Sequence, residues 1–456
     1  MVIYPATVRA RGEGRVFALL RDLRRIQFLP ASEIQTRQRT RLATLLNYAY
    51  DRCPFYRAKW THGDLVAGRD PLSALAGLPF VTKSDLQVSL QDLVARPGPR
   101  RVTRKVTGGS TGQPVTVLKD RRATAAEMAA SWLGYGWFGV GIGDRMVRFW
   151  GEPSTWKRRV RFLAADLAMN RIRLSAFAFD DAALESYWNR CLAFQPDMIY
   201  GYVSMIEAFS RFLAARGYDG RRLGVKAVVT TAEALTLPQR ELIRQTIHAP
   251  VQNEYGCGEV GPIAYECEQG SLHLMTENHV IEVITEKGTR AATGETGEIV
   301  VTDLNNVAMP LVRYRLGDMA VLGDHCGCGR GFPVLERIWG RAYDFVEDPV
   351  GHRYHGEFFM YLFEDLRQQG AAIQQFQVVQ QGATDLEVRI VTGRPHLASE
   401  VERAVRAALA DRLPAMRARI CHAEALPRRP SGKSVVVENL WFKSKGDGSP
   451  ASERRS

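Results

Sequence analysis

The sequence predicts an α/β fold with a large N-terminal domain and a small α+β domain behind it. In the large part, short apolar runs alternate with helical patterns: KAVVT (226–230) precedes a helix over 237–249, and a strand follows over 251–255. This alternation indicates a core with a largely parallel sheet. Further on, over 374–426, the order becomes strand, strand, helix, strand, which is typical of a separate α+β domain.

The N-terminal part begins with a helix. Over 33–60, leucines and tyrosines recur at helical spacing, and the pattern ends at the turn Cys53–Pro54, which predicts an amphipathic helix. Two strand-like runs between 102 and 118 flank the segment VTGGSTGQPVTV, and a helix is expected over 122–132. Over 280–324, the runs VIEVI, EIVVTDL and MAVLGD alternate with glycine and asparagine turns, so we expect a β subdomain there.

The domain boundary is expected just after the Gly340–Arg341 pair, where the pattern of elements changes. We therefore place the large domain at 1–342, the small domain at 343–442 and a tail at 443–456. The tail reads KSKGDGSPASERRS, a low-complexity composition that predicts disorder.

Length and composition bound the class of protein. A chain of 456 residues, 45% hydrophobic and 24% charged, can bury a sizeable core in more than one domain. No segment has the apolar run of a signal peptide or of a membrane span, so we expect a cytoplasmic protein without a membrane span. Its seven cysteines, an odd number, argue against a disulfide framework.

The net charge of +12 comes mostly from arginines scattered along the chain, with local clusters at 21–25 and 157–161. A nucleic-acid-binding protein would show a basic stripe with interleaved aromatic residues on one face, and this sequence does not. We therefore expect no nucleic-acid partner. Solvated faces, phosphate ligands and an acidic partner remain as explanations of the charge.

The segment around residue 110 has the composition of an anion-binding loop. Its glycines let the backbone approach a ligand without Cβ obstruction, while backbone N–H groups and hydroxyls converge on an anion. It matches neither the Walker A pattern nor the GxGxxG fingerprint, and a plain glycine-rich hairpin is the alternative. The predicted phosphate-binding residues are Thr107, Gly108, Gly109, Ser110, Thr111 and Gly112.

The loop TGGSTGQP resembles the phosphate loop of the adenylate-forming superfamily, usually written S/T-S-G-S-T-G-x-P-K. Four segments similar to later motifs of that superfamily follow in the expected order, YGCGE (255–259), RYRLGD (313–318), GRAYD (340–344) and PSGK (430–433). QTRQRTRLATLLNYAYDRCPFYRAKW, QPDMIYGYVSMIEAF and CGCGRGFPVLERIWGR resemble the phenylacetate–coenzyme A ligase family, in its capsule-biosynthesis-type branch. The resemblance extends over about residues 33–440.

This resemblance implies the adenylate-forming enzyme fold, in which a large α/β domain with a β subdomain carries a small, mobile C-terminal α+β domain. It implies that ATP and a small-molecule carboxylic acid give an acyl-adenylate and pyrophosphate. Coenzyme A, a carrier-protein thiol or an amine then accepts the acyl group. The sequence also leaves open an amide ligase or a nitrite-activating diazotase of natural-product biosynthesis, and a degenerate, non-catalytic nucleotide-binding protein. A monomer and a homodimer are equally compatible with it.

The same resemblance assigns roles to residues. It places Glu259 beside the α-phosphate, where a carboxylate holds Mg²⁺. Lys433, delivered by the small domain, stabilises charge on the phosphates during adenylation, and Asp344 is the hinge. Asp318 accepts the ribose hydroxyls, and Arg341 donates to the sugar or phosphate. The nucleotide-binding set is completed by Glu233, Tyr255 and Gly256.

Three features depart from the superfamily pattern. The glycine loop begins Thr-Gly-Gly where relatives have Ser-Ser-Gly. It ends at Gln113–Pro114 without the lysine that many relatives have there, so a lysine contact to the pyrophosphate is missing or is replaced by Lys119 or Arg104. Gly258 precedes Glu259 where a hydroxyl residue is common. A degenerate protein would explain these departures, but the presence of the later motifs argues for an enzyme.

A second set of residues has the donor types of a structural zinc site. Cys267, His273, Cys326 and Cys328 supply three thiolates and one imidazole, a tetrahedral set with no open position. Buried cysteines and a surface histidine are the alternative from chemistry alone. Relatives in the family carry a similar set, which implies a structural Zn²⁺.

The acid pocket is predicted between the helix after the phosphate loop, the turn 201–204 and the segment 230–233, with Trp137, Tyr202 and Cys257 as lining residues. Further aromatic side chains offer walls for a planar acid, or belong to the core: Trp132, Tyr135, Phe149 and Trp150. The sequence does not choose among aryl, alkyl and amino acids.

Overall fold

A computed structural model describes residues 14–61, 63, 70–107, 115–150, 156–175, 181–341, 345–349, 353–426 and 435–441. These residues fall into two units. The larger unit holds the described chain up to Leu316 together with Ala320–Ile338, and the smaller unit holds Gly317–Met319 and the described chain from Trp339 onward. Within the described ranges, no helix has both the length and the apolar character needed to cross a bilayer.

The N-terminal part of the larger unit is helical. Its helices are α1 (Arg15–Ile26), α2 (Ala31–Arg52), α3 (Pro54–Lys59), α4 (Pro71–Gly77), α5 (Lys83–Val88) and α6 (Leu90–Leu93). The predicted helix end at Cys53–Pro54 is confirmed, because Cys53 is extended and Pro54 opens α3. Proline fits the first turn of a helix, where its missing N–H is not needed.

A hairpin follows the helices and leads into a long helix. Strands β1 (Val102–Thr107) and β2 (Val115–Asp120) pair antiparallel, as predicted, and helix α7 (Arg121–Gly136) follows directly. The Asp120 carboxylate accepts hydrogen bonds from the first backbone N–H groups of α7 and caps the helix. The base of the hairpin is thereby fixed to α7.

Helix α7 packs closely on the sheet that follows it. Its buried face consists largely of alanines, and at Gly134 a Cβ would lie 2.3 Å from the Tyr265 ring. Small residues on the helix therefore let the aromatic rings of the sheet approach its backbone.

Five parallel strands form one half of an eleven-stranded sheet. They are β3 (Met146–Trp150), β4 (Arg171–Ser175), β5 (Met198–Tyr202), β6 (Ala227–Thr231) and β7 (Val251–Cys257). The connecting helices are α8 (Trp156–Ala168), α9 (Asp181–Phe194), α10 (Val203–Arg216) and α11 (Leu237–Ile247). The spatial order is β4-β3-β5-β6-β7, and the predicted alternation of strand and helix is confirmed here.

The other half continues the same sheet. Its strands are β8 (Gly261–Glu266), β9 (Leu272–Leu274), β10 (His279–Ile284), β11 (Thr296–Asp303), β12 (Tyr314–Leu322) and β13 (Val334–Arg341). The order from β7 is β8-β9-β13-β12-β11-β10, and the pairs β7–β8, β8–β9, β9–β13 and β10–β11 are antiparallel. The sheet is therefore parallel in one half only, because short turns, not helices, join several of these strands.

The smaller unit has the predicted order of strand, strand, helix, strand. Its elements are β14 (Phe345–Glu347), β15 (Arg353–His355), α12 (Gly356–Gln368), β16 (Ile373–Gln380), β17 (Asp385–Thr392), α13 (Ala398–Arg412), β18 (Arg417–His422) and β19 (Val437–Asn439). A four-stranded sheet in the order β18-β17-β16-β19 packs on the helices around a core of its own. The short pair β14–β15 is separate from that sheet.

Candidate active site

Polar side chains meet at the carboxyl ends of the parallel strands. Tyr202 ends β5, Thr231 ends β6 and Glu254 lies near the end of β7; Tyr202 pairs with Thr231, which in turn pairs with Glu254. In open α/β sheets this edge is where ligands bind. The local topology thus places a binding site where several predicted residues converge.

Glu254 is a buried carboxylate that the sequence analysis missed. The hydroxyls of Tyr135, Tyr200 and Thr231 donate to it at 3.0, 2.9 and 3.2 Å. Burial raises the pKa of Glu254, and the donated hydrogen bonds oppose that rise. The carboxylate therefore fixes two tyrosine rings, and a glutamate inside the run VQNEYGC was the available sequence signal.

The turn between β7 and β8 carries the predicted Tyr255, Gly256, Cys257 and Glu259. Tyr255, Cys257 and Glu259 are half-buried, and burial, followed by the neighbouring Glu259, raises the pKa of the Cys257 thiol. A Cβ on Gly256 would lie 2.6 Å from the Gly261 carbonyl oxygen, so glycine is needed there for the two strands to approach.

Two lysines share one carboxylate beside this turn. Lys105 Nζ lies 2.9 Å from a Glu127 oxygen, and the Lys119 ammonium contacts the other Glu127 oxygen. Lys119 is fully buried, and burial lowers its pKa to about 8. A Cβ on Gly261 would lie 2.6 Å from the Glu127 side chain, which places Glu127 and its lysine partners next to the β7–β8 turn.

Lys105 is a third candidate, beside Lys119 and Arg104, to replace the lysine that the phosphate loop lacks. Lys119, one predicted substitute, is held by Glu127 with no exposed surface, and Arg104, the other, is exposed and donates to Thr116 at 3.2 Å. Lys105, which the sequence analysis missed, keeps 39% of its side chain exposed and lies on β1 shortly before the glycine loop. It is the better placed of the three to meet a phosphate.

Arg148, also missed by the sequence analysis, lies in the middle of β3. Its guanidinium carbon is 4.1 Å from the Trp150 ring centroid and 5.2 Å from the Tyr200 ring centroid. Its Nε is buried and has no hydrogen-bond partner among the described residues. A charged donor between two rings and without an acceptor is a candidate ligand contact.

Glu233 follows β6 and caps a helix. Its carboxylate accepts from the backbone N–H of Ser204 at 2.7 Å and from the Ser204 hydroxyl at 3.1 Å, at the start of α10. Negative charge is favourable at a helix N-terminus. The predicted nucleotide contact therefore also joins the GYVS turn to the end of β6.

Several predicted residues fall outside the described part of the chain, namely Gly108, Gly109, Ser110, Thr111, Gly112, Asp344 and Lys433. Thr107 ends β1 and Arg341 ends β13, but their side chains are not described. Asp318 is half-buried on β12. The roles assigned to these residues stay predictions.

The predicted acid-pocket residues separate into two places. Tyr202 ends β5, its ring centroid 4.5 Å from that of Trp150, and Cys257 ends β7. Trp137 instead packs in the core, where its indole N–H donates to Gln27 at 2.8 Å and its ring lies 5.8 Å from His273. The structure thus groups Trp137 with the cysteine and histidine set. The other aromatic candidates Trp132, Tyr135 and Phe149 are buried core residues.

The structure brings the predicted metal ligands together. The ligand atoms of Cys267, His273, Cys326 and Cys328 all lie within 4.8 Å of one another. The Sγ atoms of Cys267 and Cys326 are 3.6 Å apart, close to the roughly 3.8 Å that a tetrahedral zinc–thiolate pair requires. The four ligand atoms are therefore close enough together to hold one metal ion.

His273 is oriented for metal binding by its second ring nitrogen. Nδ1 lies 2.9 Å from the Phe332 carbonyl oxygen, and Nε2 lies 3.2 Å from Cys328 Sγ. Because a carbonyl oxygen only accepts, Nδ1 carries the proton and Nε2 directs its lone pair toward the sulfurs. Metal-binding histidines are commonly held in this way.

Comparisons with known proteins agree with this architecture. No family model matches the chain. It is 25% identical over 327 residues to Protein CapK of Staphylococcus aureus, covering 68% of each chain. It is 29% identical over 344 residues to a phenylacetate-coenzyme A ligase of Escherichia coli K12, covering 70% of this chain and 74% of the relative.

A solved structure confirms the predicted fold class. The crystal structure of 2-hydroxyisobutyryl-CoA ligase in its postadenylation state superposes with a TM-score of 0.70, at 20% identity, over 91% of each chain. Together with the motifs in their order, these relatives over two thirds of the sequence show that the chain is similar to the phenylacetate–coenzyme A ligase family and has the fold of an adenylate-forming CoA ligase.

Proposed function

We propose that this protein activates a carboxylic acid with ATP, releasing pyrophosphate, and transfers the acyl group of the resulting adenylate to coenzyme A. The observation that carries this proposal is the meeting of the Tyr255–Glu259 turn with Lys105 and Lys119 at the carboxyl ends of the parallel strands, in a chain similar to the phenylacetate–coenzyme A ligase family. Relatives named phenylacetate-coenzyme A ligase and a neighbour solved with an acyl-adenylate support it.

In the proposed site, the glycine loop 108–112 binds the phosphates of ATP, and Lys105 supplies a cation at its base. The carboxylate of Glu259 faces the α-phosphate, and bound Mg²⁺ would offset the negative charges that meet there. Asp318 and Arg341 hold the ribose. Tyr255, Gly256 and Glu233 complete the nucleotide site.

The proposal assigns the second half of the reaction to the small domain. With the boundary between 342 and 343, Asp344 is the hinge and Lys433 the delivered cation. Lys433 stabilises charge on the phosphates during adenylation and leaves when the domain rotates, so that coenzyme A can enter.

We further infer that Cys267, His273, Cys326 and Cys328 hold a structural Zn²⁺. The set fits the ion because it provides three sulfurs and one nitrogen at close spacing, with the imidazole already oriented. A four-protein-ligand centre leaves no position for substrate. The metal would join the end of β8 and strand β9 to the loop before β13. The β7–β8 turn lies at the other end of β8.

Pyrophosphate release from ATP and Mg²⁺ tests the proposed reaction, with aryl, alkyl and amino acids and nitrite each assayed with and without coenzyme A. We expect release with one class of acid and formation of its coenzyme A thioester. Release that occurs without thioester formation, and with an amine product instead, would replace the acceptor. Absence of release with every acid would contradict the proposal.

Lys433→Ala tests the assigned role of the small domain in the same assay. We expect pyrophosphate release to fall by about 100- to 1000-fold, as when one charge-stabilising donor is removed. Lys445→Ala, in the tail, is the matched control and should retain the wild-type rate. Equal rates for the two variants would remove Lys433 from the mechanism.

A further inference from the structure

We propose that Arg148 binds a second anionic group on the acid substrate, so that this enzyme activates dicarboxylic or otherwise dianionic acids. The inference rests on the proposed function, since it specifies the acid that is adenylated.

The Arg148 side chain lies on the face of the sheet that borders the predicted acid pocket. On β3 it pairs with Tyr200 of β5 on one side and with Arg173 of β4 on the other. Val147 and Phe149 point to the opposite face and are fully buried. The side chain of Arg148 therefore shares a face with Tyr200 and Trp150, close to Tyr202 at the end of the next strand.

No described acceptor satisfies Arg148. Its Nε is buried without a hydrogen-bond partner in the described ranges, and none of the ion pairs formed there includes it. Arg148 as a whole is half-buried, but a buried N–H without an acceptor is unfavourable, because its desolvation is not offset by a hydrogen bond. An anionic ligand group would supply the missing acceptor, with the short, charge-assisted hydrogen bonds that guanidinium and carboxylate form.

The neighbouring carboxylates are already engaged. Asp166 accepts from Arg171 Nε at 2.6 Å and from Arg173 Nε at 3.2 Å, and its side chain is only 6% exposed. Glu254 accepts the hydroxyls of Tyr135 and Tyr200. Asp166 is thus shared by Arg171 and Arg173, and Glu254 by two tyrosines, so neither carboxylate is an acceptor for Arg148.

The walls around Arg148 are fixed and aromatic. Trp150 and Tyr200 both contact the guanidinium, and Tyr200 is held in place by its hydrogen bond to Glu254. Stacking on the two rings orients the planar guanidinium and reduces its contact with water. Since the guanidinium lies over these two rings, it occupies ring surface that an aryl substrate would otherwise use.

Matched pairs of acids that differ by one carboxylate test the inference. The pairs are glutarate with valerate, succinate with butyrate, and homophthalate with phenylacetate. We expect wild-type kcat/KM for pyrophosphate release to favour the dianionic member of at least one pair by about 100-fold, the discrimination of a buried charged hydrogen bond. A preference for the monoanionic member in every pair would overturn the proposal.

Arg148→Gln should abolish that preference, mainly through KM for the dianionic acid, while the monoanionic partner changes little. Arg145→Gln is the matched control, because Arg145 is exposed, directly precedes β3 and pairs with Asp197, and this variant should keep the wild-type preference. Arg148→Lys keeps the charge without the planar stack and should retain a reduced preference; it replaces the glutamine variant if that one does not fold. An unchanged preference in the Arg148 variants would overturn the proposal.

Calorimetric binding of the same acids separates this inference from the proposed function. If no acid releases pyrophosphate, the proposed function fails, and binding then decides the role of Arg148. Glutarate binding that is at least about 10-fold weaker in Arg148→Gln than in the wild type supports the site. Equal binding of glutarate and valerate by the wild type overturns it.

Discussion

The two halves of the large sheet use polar residues in opposite ways. In the antiparallel half, the cysteine and histidine set is complete in donor number, since its four ligand atoms lie within 4.8 Å of one another. Beside the parallel half, Glu127 of helix α7 is shared by Lys105 and Lys119 of the β1–β2 hairpin, which makes Lys105 a surplus cation, and Asp166 of helix α8 contacts Arg171 and Arg173. In our proposals the complete set stabilises the fold, whereas Lys105 and Arg148 meet anionic ligands.

The largest expected effect tests the complete set. Cys328→Ser should reduce bound zinc from one equivalent toward none and lower the free energy of unfolding by on the order of 5 kcal/mol, since binding of a structural metal contributes directly to folding. Metal analysis and denaturant unfolding measure both quantities. Cys421→Ser, at a half-buried cysteine of the smaller unit, is the control. Full metal occupancy in Cys328→Ser would show that this sulfur is not a ligand.

The next largest effect on stability is expected at Glu127, the carboxylate that Lys105 and Lys119 share. Glu127→Gln leaves the fully buried Lys119 without its counter-charge and should lower the free energy of unfolding by about 3 kcal/mol. Lys119→Met keeps the pair of Glu127 with Lys105 and fills a similar volume, so it should change stability by less than about 1 kcal/mol. Urea unfolding compares the two variants, and the reverse order of their effects would contradict this account.

His279, on β10 in the antiparallel half of the sheet, is a polar side chain with one unsatisfied ring nitrogen among the described residues. It is buried, its Nδ1 has no hydrogen-bond partner among the described residues, and burial lowers its pKa to about 4. The unfolded chain takes up its proton first as pH falls, so stability should decrease between pH 6.5 and pH 4, by on the order of 3 kcal/mol from this group.

His279→Gln removes that titration and isolates it. The difference in unfolding free energy between wild type and variant, measured at pH 7.5 and again at pH 4.5, should shift in favour of the variant at the lower pH. Buried carboxylates such as Glu254 titrate in both proteins and cancel in this difference. A pH-independent difference would show that His279 does not cause the acid sensitivity.

The smallest effect tests the surplus cation. Lys105→Gln should raise KM for ATP about 10-fold, the loss of one partly exposed phosphate contact, with little change in stability because Lys119 still pairs with Glu127. Arg104→Gln, one residue earlier on the same strand, faces solvent and should leave KM unchanged. Equal KM values for the two variants would exclude Lys105 as the substitute for the absent lysine.

Much of the fold followed from local patterns. The helix end at Cys53–Pro54, the hairpin around the glycine loop and the helix predicted over 237–249 were all located within a few residues, because capping, turn residues and periodicity act over short distances. The prediction of a largely parallel sheet was right for β3 to β7 only. The direction of a strand depends on which neighbour it meets, and that choice is made by packing across the molecule.

The candidate site divides in the same way. Ordered motifs pointed to Tyr255 and Glu259, and donor types pointed to the four candidate metal ligands. Lys105 and Arg148 carried no such signal, since a lysine or an arginine in a strand is usually solvated, and Glu254 showed only as a glutamate inside an apolar run. Their surroundings become visible only when β1, β3 and β7 and helix α7 are brought together.

The sequence by itself determined the family resemblance, the order of the elements and the donor set of the proposed metal centre, because each depends on residue types in a fixed order along the chain. The tertiary structure decided which charges are satisfied. Glu254 received its hydroxyl partners from three separate elements, and Arg148 received two rings and no acceptor among the described residues. Burial and pairing arise from contacts between distant segments, so a sequence specifies them only through its fold.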